Sequence, residues 1–144
     1  MDLDKIYYPG NNDFLDWLNS DSAAWLAPDW DYYITATEAN DLTLFKYANN
    51  AQYPKSDFCL HCLYYLVGEY HNNTLAGKTD NKRKARIEAL LGMVEPACQP
   101  QLIEWKQKTT ELLYGELKFD PEFWFNFLFI SDIKKLCDNE NTNY

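Results

Sequence analysis

Ser56-Asp57-Phe58-Cys59-Leu60-His61-Cys62-Leu63-Tyr64-Tyr65-Leu66-Val67-Gly68-Glu69-Tyr70-His71 is the stretch on which the fold turns. Phe58, Leu63, Leu66, Val67 and Tyr70 recur at helical spacing, and Ser56 is a residue type that caps helix starts. A helix from Ser56 to about His71 is therefore expected, stopping in Asn72-Asn73-Thr74-Leu75-Ala76-Gly77.

Three more helices follow from the same signals. Thr79 or Asp80 caps the next, where Ile87, Leu90, Leu91 and Val94 form an i, i+3, i+4, i+7 core stripe before Pro96 ends it. Pro100 opens a third to about Lys118, with Leu102, Trp105, Thr109, Leu112 and Leu113 on or near one face. Asp120-Pro121 launches a fourth, Phe123 to Leu136, whose start is apolar all round; such a helix is expected to be central or to sit at a dimer interface. The starts at Ser56, Thr79, Pro100 and Asp120 lie 23, 21 and 20 residues apart. Two antiparallel hairpins give that spacing, which also permits a helical-repeat form, although the residues themselves do not repeat.

Upstream, the pattern is weaker. A short helix is expected around Asp13 to Asn19, a further turn over Ser22 to Ala27, and a helix from about Ala36 to Asn50 behind a capping box at Thr35-Ala36-Thr37-Glu38. Tyr32-Tyr33-Ile34-Thr35 has β-type residues and is open to an extended reading. The fold class is thus all-α: one domain, residues 1–144, of five to seven helices, with an irregular acidic and aromatic segment (1–55) before a four-helix core (56–137).

Size and composition agree. A chain of 144 residues suits one domain and buries enough surface to need neither disulfide nor structural metal. Its 17% aromatic residues are far too many for a disordered chain. No stretch has the apolar length of a membrane span, and Met1-Asp2-Leu3-Asp4-Lys5 is acidic where a signal peptide is basic. The expected location is the cytoplasm. Cys59, Cys62, Cys98 and Cys137 are then reduced thiols, and the Asn72-Asn73-Thr74 sequon is never read.

Charge is the most informative feature. Residues 1–45 hold nine acids and one base, a net −8 of the whole chain's −9, which leaves −1 for the other 99 residues. Such a field attracts basic partners and repels nucleic acid and anionic membranes. Lys78, Lys82, Arg83, Lys84 and Arg86 form the one basic cluster, read as a solvated face paired internally with the acidic third.

Motifs for catalysis are weak. Gly77-Lys78-Thr79 lacks the glycine that a phosphate loop needs five residues earlier, where Asn72 stands, and it follows a helix where that loop follows a strand. Cys59 and Cys62 share a helix face and His71 lies nine residues beyond Cys62; these are weak metal candidates without a fourth ligand. Neither a deaminase nor a thioredoxin-like context surrounds the Cys pair, and no serine sits in a nucleophile elbow. No enzyme and no cofactor are expected.

What remains is the interleaving of aromatics with aspartates before residue 34. Trp and Tyr anchor protein interfaces, and carboxylates around them steer a basic partner inward. Asp13, Asp16, Trp17, Trp25, Asp29, Trp30, Asp31 and Tyr32 are the expected partner-binding residues, centred on Asp29-Trp30-Asp31 beside Pro28. The expected function is a small acidic binding protein that occludes a basic protein, an immunity or inhibitor protein covering a nuclease-type toxin domain. A nucleic-acid mimic and a helical adaptor scaffold are the alternatives, and a homodimer is a further option.

Overall fold

The computed structural model describes residues 11–20 and 30–128. Among them the chain is all-α: α1 (Asn11–Leu18), α2 (Trp30–Thr35), a 3-10 turn (Glu38–Asn40), α3 (Asp41–Ala48), α4 (Ser56–Leu75), α5 (Asn81–Met93), α6 (Pro100–Tyr114) and α7 (Pro121–Phe125). No described helix is long and apolar enough to cross a membrane.

The centre is α4. Every residue from Phe58 to Tyr64 is buried, and so are Leu66, Val67 and Gly68, so α4 hides its whole circumference for about two turns. Helices α2, α3, α5, α6 and α7 all pack on it. This corrects the expectation that the Phe123 helix is central. That helix breaks at Asn126, and only Trp124 is fully buried, set against Tyr64 with ring centroids 5.3 Å apart. Phe123, Phe125 and Phe127 are half-buried and lie over α4 and its surroundings, with Phe127 stacked on Tyr64 at 4.1 Å. Residues 129–136 lie outside the described residues, as does the expected turn over Ser22 to Ala27.

The close seating of α7 depends on Gly68. A Cβ there would lie 3.0 Å from both Trp124 Cβ and Phe125 Cε1, so a larger residue would push the two helices apart.

Helix boundaries follow local chemistry. Ser56 is the first helical residue and not the cap; its Oγ donates to Ala48 O at 3.4 Å, a carbonyl at the end of α3. At the other end, α4 runs one turn past His71. Gly77 (φ +79°) then lets its own N–H reach Thr74 O and the Lys78 N–H reach Asn73 O, a Schellman stop. The Asp80 carboxylate caps α5 by accepting the Arg83 N–H at 3.1 Å. Ile87, Leu90 and Leu91 face the core as their spacing predicts, as do Leu102, Trp105, Thr109 and Leu112 of α6, which stops at Tyr114, short of Lys118.

The described N-terminal region holds short helices joined by turns, and no strand. Trp30–Thr35 is a helix, which closes the extended reading of Tyr32 to Thr35. The expected helix over Ala36 to Asn50 starts later and in two pieces, the 3-10 turn and α3. Its capping box does not form: the Thr37 side chain makes no cap bond, and the Thr35 hydroxyl instead donates back to Asp31 O at 2.7 Å.

These short helices share one device. A helix end leaves carbonyls without partners, and here side chains from outside each helix supply donors. At α1, Tyr53 Oη donates to Leu18 O, and Lys55 Nζ donates to Trp17 O and, at 2.8 Å, to Ser20 O. At α2, Asn40 Nδ2 donates to Ile34 O at 3.0 Å and Arg86 donates to Thr35 O at 2.7 Å. At α3, Gln99 Nε2 donates to Ala48 O at 2.6 Å. Two of these donors are cations, which a helix C-terminus also favours electrostatically.

Candidate functional site

The residues expected to meet a partner divide into three groups. Trp17 and Trp30 are core: they are 7% and 4% exposed and pack edge to face at 5.8 Å, with Trp17 also 4.9 Å from Phe58. The Lys55 ammonium lies 4.3 Å from the Trp17 ring centre, beneath the end of α1. Two indoles that complete the core are not surface anchors, and the expectation for this pair is corrected.

Asp31 forms the second group, because its carboxylate is turned inward. Oδ1 accepts the Tyr32 N–H at 2.8 Å, and Oδ2 is 2.9 Å from His61 Nε2 on α4. The Asp31 and His61 side chains are 14% and 5% exposed. The acid therefore holds α2 against α4, and a partner would have to break that bond to use it.

Asp16 and Tyr32 form the third group and face solvent, Tyr32 at 47% exposure with its ring edge-on to Tyr33 at 5.3 Å. Glu38, also exposed, is the acid of the 3-10 turn. The side chain of Asp13, and all of Trp25 and Asp29, lie outside the described residues.

Among the other acids of this third, Asp41 is buried and bound in a fork by Arg86: Nε to Oδ2 at 2.9 Å and Nη2 to Oδ1 at 2.8 Å. The basic cluster is thus partly spent within the fold. Arg86 holds Asp41, and Arg83 holds Asp80 at 2.6 Å. Burial would raise the Asp80 carboxyl, but the Arg83 backbone and guanidinium bonds, its charge and a bond from Asn73 outweigh it and keep that carboxyl below its ordinary value. Lys78 and Lys82 remain exposed.

The metal candidates do not converge. Cys59 and Cys62 are wholly buried on α4, whereas His71 is nine residues further, about 13 Å along the axis. His71 packs on Phe119 at 4.6 Å, and burial lowers its imidazole below its ordinary value. No group of three metal-type ligands occurs among the described residues. Burial pushes the Cys59 thiol up to about 12, and it raises Cys62 well above its ordinary value, with the charges of Cys59 and Asp31 adding to it. Thiols so held are poor nucleophiles at neutral pH.

His61, Lys55 and Arg86 are the polar residues that organise this region, and their individual roles had no local sequence signal. His61 sits in an apolar run, and Lys55 stands alone after Pro54. Only the pairing of the basic cluster with the acidic third was legible.

The surface clefts lined by described residues include the following two. The larger, about 600 Å³, lies between the α5–α6 connection and α6, and both Lys106 and Glu111 line it, so it carries no single sign of charge. The smaller, about 310 Å³, lies where the 3-10 turn and α3 meet α5. Compared with protein families, curated proteins and solved structures, the chain matches none.

Proposed function

We propose that this chain is a small acidic binding protein that covers a basic protein partner, in the way an immunity or inhibitor protein covers the cationic cleft of a nuclease-type toxin. The observation that carries the reading is the concentration of a net −8 within residues 1–45, against −1 for the remainder. The Arg86 fork neutralises one of those acids, Asp41, while Asp16, Tyr32 and Glu38 all face water. An acidic field with an exposed tyrosine raises the encounter rate of a basic surface and supplies a contact once it arrives. The proposed contact residues accordingly become Asp16, Tyr32 and Glu38, in place of Trp17, Trp30 and Asp31. The cytoplasm is the proposed setting, where the thiols stay reduced.

The test is capture of partners from native cells with the tagged chain at low and high salt, followed by association kinetics with the purified partner. A stoichiometric basic protein is expected, with an association rate that falls steeply with salt and about tenfold on Asp16→Lys with Glu38→Lys. A partner that binds DNA and is displaced from it by this chain would identify the mimic form of the same reading. Binding indifferent to salt and to both substitutions would overturn it in favour of a helical adaptor.

A further inference from the structure

The chain has two histidines, and both lie on α4 beneath one covering segment. Residues 119–128 run back along that helix. Phe119 rests on His71 with ring centroids 4.6 Å apart, Phe125 meets Tyr65 at 5.2 Å, Phe127 stacks on Tyr64, and the Leu128 N–H donates to His61 Nδ1 at 3.2 Å. One histidine thus sits at each end of the segment.

The segment has little structure of its own. Its helix, α7, is five residues long, far too short to hold alone in water, so its order comes from contacts with α4. A piece of this kind opens locally at lower cost than the helices beneath it.

Protonation acts against closure at both ends. At His61, Nε2 faces the Asp31 carboxylate, so a second proton enters at Nδ1; the ring then offers only donors, and the Leu128 N–H meets another N–H. The imidazolium meanwhile gains an ion pair with Asp31, which keeps α2 in place. At His71, burial lowers the imidazole below its ordinary value. Its contribution to closure is therefore intact above that ordinary value and is lost as pH falls from there toward the folded one.

The titratable groups around the two rings are few. Near His61 stand Asp31 on α2 and, on α4, Asp57, Tyr64 and Tyr65 one turn away and Cys62 beside it; residues 123–128 bring no charged side chain. Near His71, α4 has no charged residue one turn either way, and Lys118 and Asp120, of opposite sign, flank Phe119. From α6, the Lys108 ammonium lies 5.0 Å from the Phe123 ring centre and Glu104 acts on Tyr64. Histidine is the side chain whose charge ordinarily changes between about pH 5 and 8.

We propose that residues 119–128 form an acid-opened strap, closed over α4 while His61 and His71 are neutral and released from it, with α2 still docked, when both take up protons. The device is independent of partner binding through Asp16, Tyr32 and Glu38.

Amide exchange by NMR, with the two imidazoles followed in the same samples, tests it. The amides of Trp124, Asn126 and Leu128 bond to Asp120 O, Glu122 O and His61 Nδ1. Their protection, corrected for intrinsic exchange, is expected to fall about tenfold or more between about pH 7.5 and pH 5.5, while the α6 amides of Thr109 and Leu112 keep theirs. His61→Asn, which offers a non-titrating oxygen in place of Nδ1, combined with His71→Phe, which keeps a ring on Phe119, is expected to abolish the fall. The titration of the parent chain carries the test even where that double variant folds poorly. Unchanged protection at Leu128 across this range, equal loss in α6, or a fall that persists in a folded double variant would each overturn the proposal.

Discussion

Asp31 Oδ2 lies 2.9 Å from His61 Nε2, and the other nitrogen of the same ring, Nδ1, accepts the Leu128 N–H at 3.2 Å. A ring nitrogen that accepts carries no proton, so Nε2 bears it and donates to the carboxylate. One imidazole thereby ties α2, α4 and the chain beyond α7. Asp31→Ala removes the acceptor and leaves a buried imidazole donor without it, which is expected to lower stability by about 2 kcal/mol, whereas Asp31→Asn keeps an acceptor and costs about half as much. Urea unfolding of the three proteins checks the order. Equal stability of Asp31→Ala and parent would remove the bond from the fold's support.

The fork between Arg86 and Asp41 is a stronger case, because both side chains are about nine-tenths buried. Arg86→Ala strands the Asp41 carboxylate and the Thr35 carbonyl in the interior, and is expected to cost about 3 kcal/mol. Arg86→Lys keeps the charge but loses the planar fork, so it should recover only part of that. Replacing both residues, Asp41→Leu with Arg86→Met, is expected to lie nearer the parent than Arg86→Ala does. The readout is a double-mutant cycle by chemical denaturation, and coupling indistinguishable from zero would refute the arrangement.

Gly68 tests how tightly α7 is seated. Alanine gains helix propensity of about 1 kcal/mol, but its Cβ meets Trp124 Cβ at 3.0 Å, an atom fixed to the backbone. Overpacking of this kind costs about 1–3 kcal/mol, so Gly68→Ala is expected to be net destabilising and to red-shift tryptophan emission as Trp124 is displaced. Gly92→Ala, on the open face of α5, should instead raise the monomer's stability. A Gly68→Ala variant as stable as parent, with unshifted emission, would contradict this packing.

The difference between these two glycines shows what the sequence could convey. Amphipathic helices were legible, since in α5 and α6 the apolar stripes at Ile87, Leu90 and Leu91 and at Leu102, Trp105 and Leu112 fix which face is inside. Which helix is central was not. Two stretches are apolar all round, Phe58 to Gly68 and Phe123 to Ile130, and periodicity cannot rank them; the longer one that other helices surround is α4. The candidate surface was legible in its charge but not in its members. Trp17, Trp30 and Asp31 look like an interface in sequence, but Trp17 and Asp31 are drawn inward by contacts 30 to 41 residues away with Phe58, Lys55 and His61, and Trp30 packs on Trp17, which no local pattern encodes.

The buried thiols make stability depend on alkaline pH. Burial raises Cys59 to about 12 and Cys62 well above its ordinary value. A group that is neutral when protonated and whose pKa is higher in the folded state keeps more protons folded than unfolded. Its contribution is therefore intact below the unfolded thiol pKa and falls as pH rises from there toward the folded value. Each thiol is expected to remove about 1.4 kcal/mol per pH unit inside that window, so the pair should cost about 3 kcal/mol between pH 8 and pH 10. Cys59→Ala with Cys62→Ala should flatten most of this slope while lowering stability at pH 7. Alkylation offers an independent check, with Cys137→Ser removing the thiol outside the described residues. At pH 8 iodoacetamide should modify Cys98, which is partly exposed, and spare Cys59 and Cys62 until the protein unfolds. Rapid labelling of either α4 thiol in the folded state would mean that this helix is not the sealed centre of the bundle.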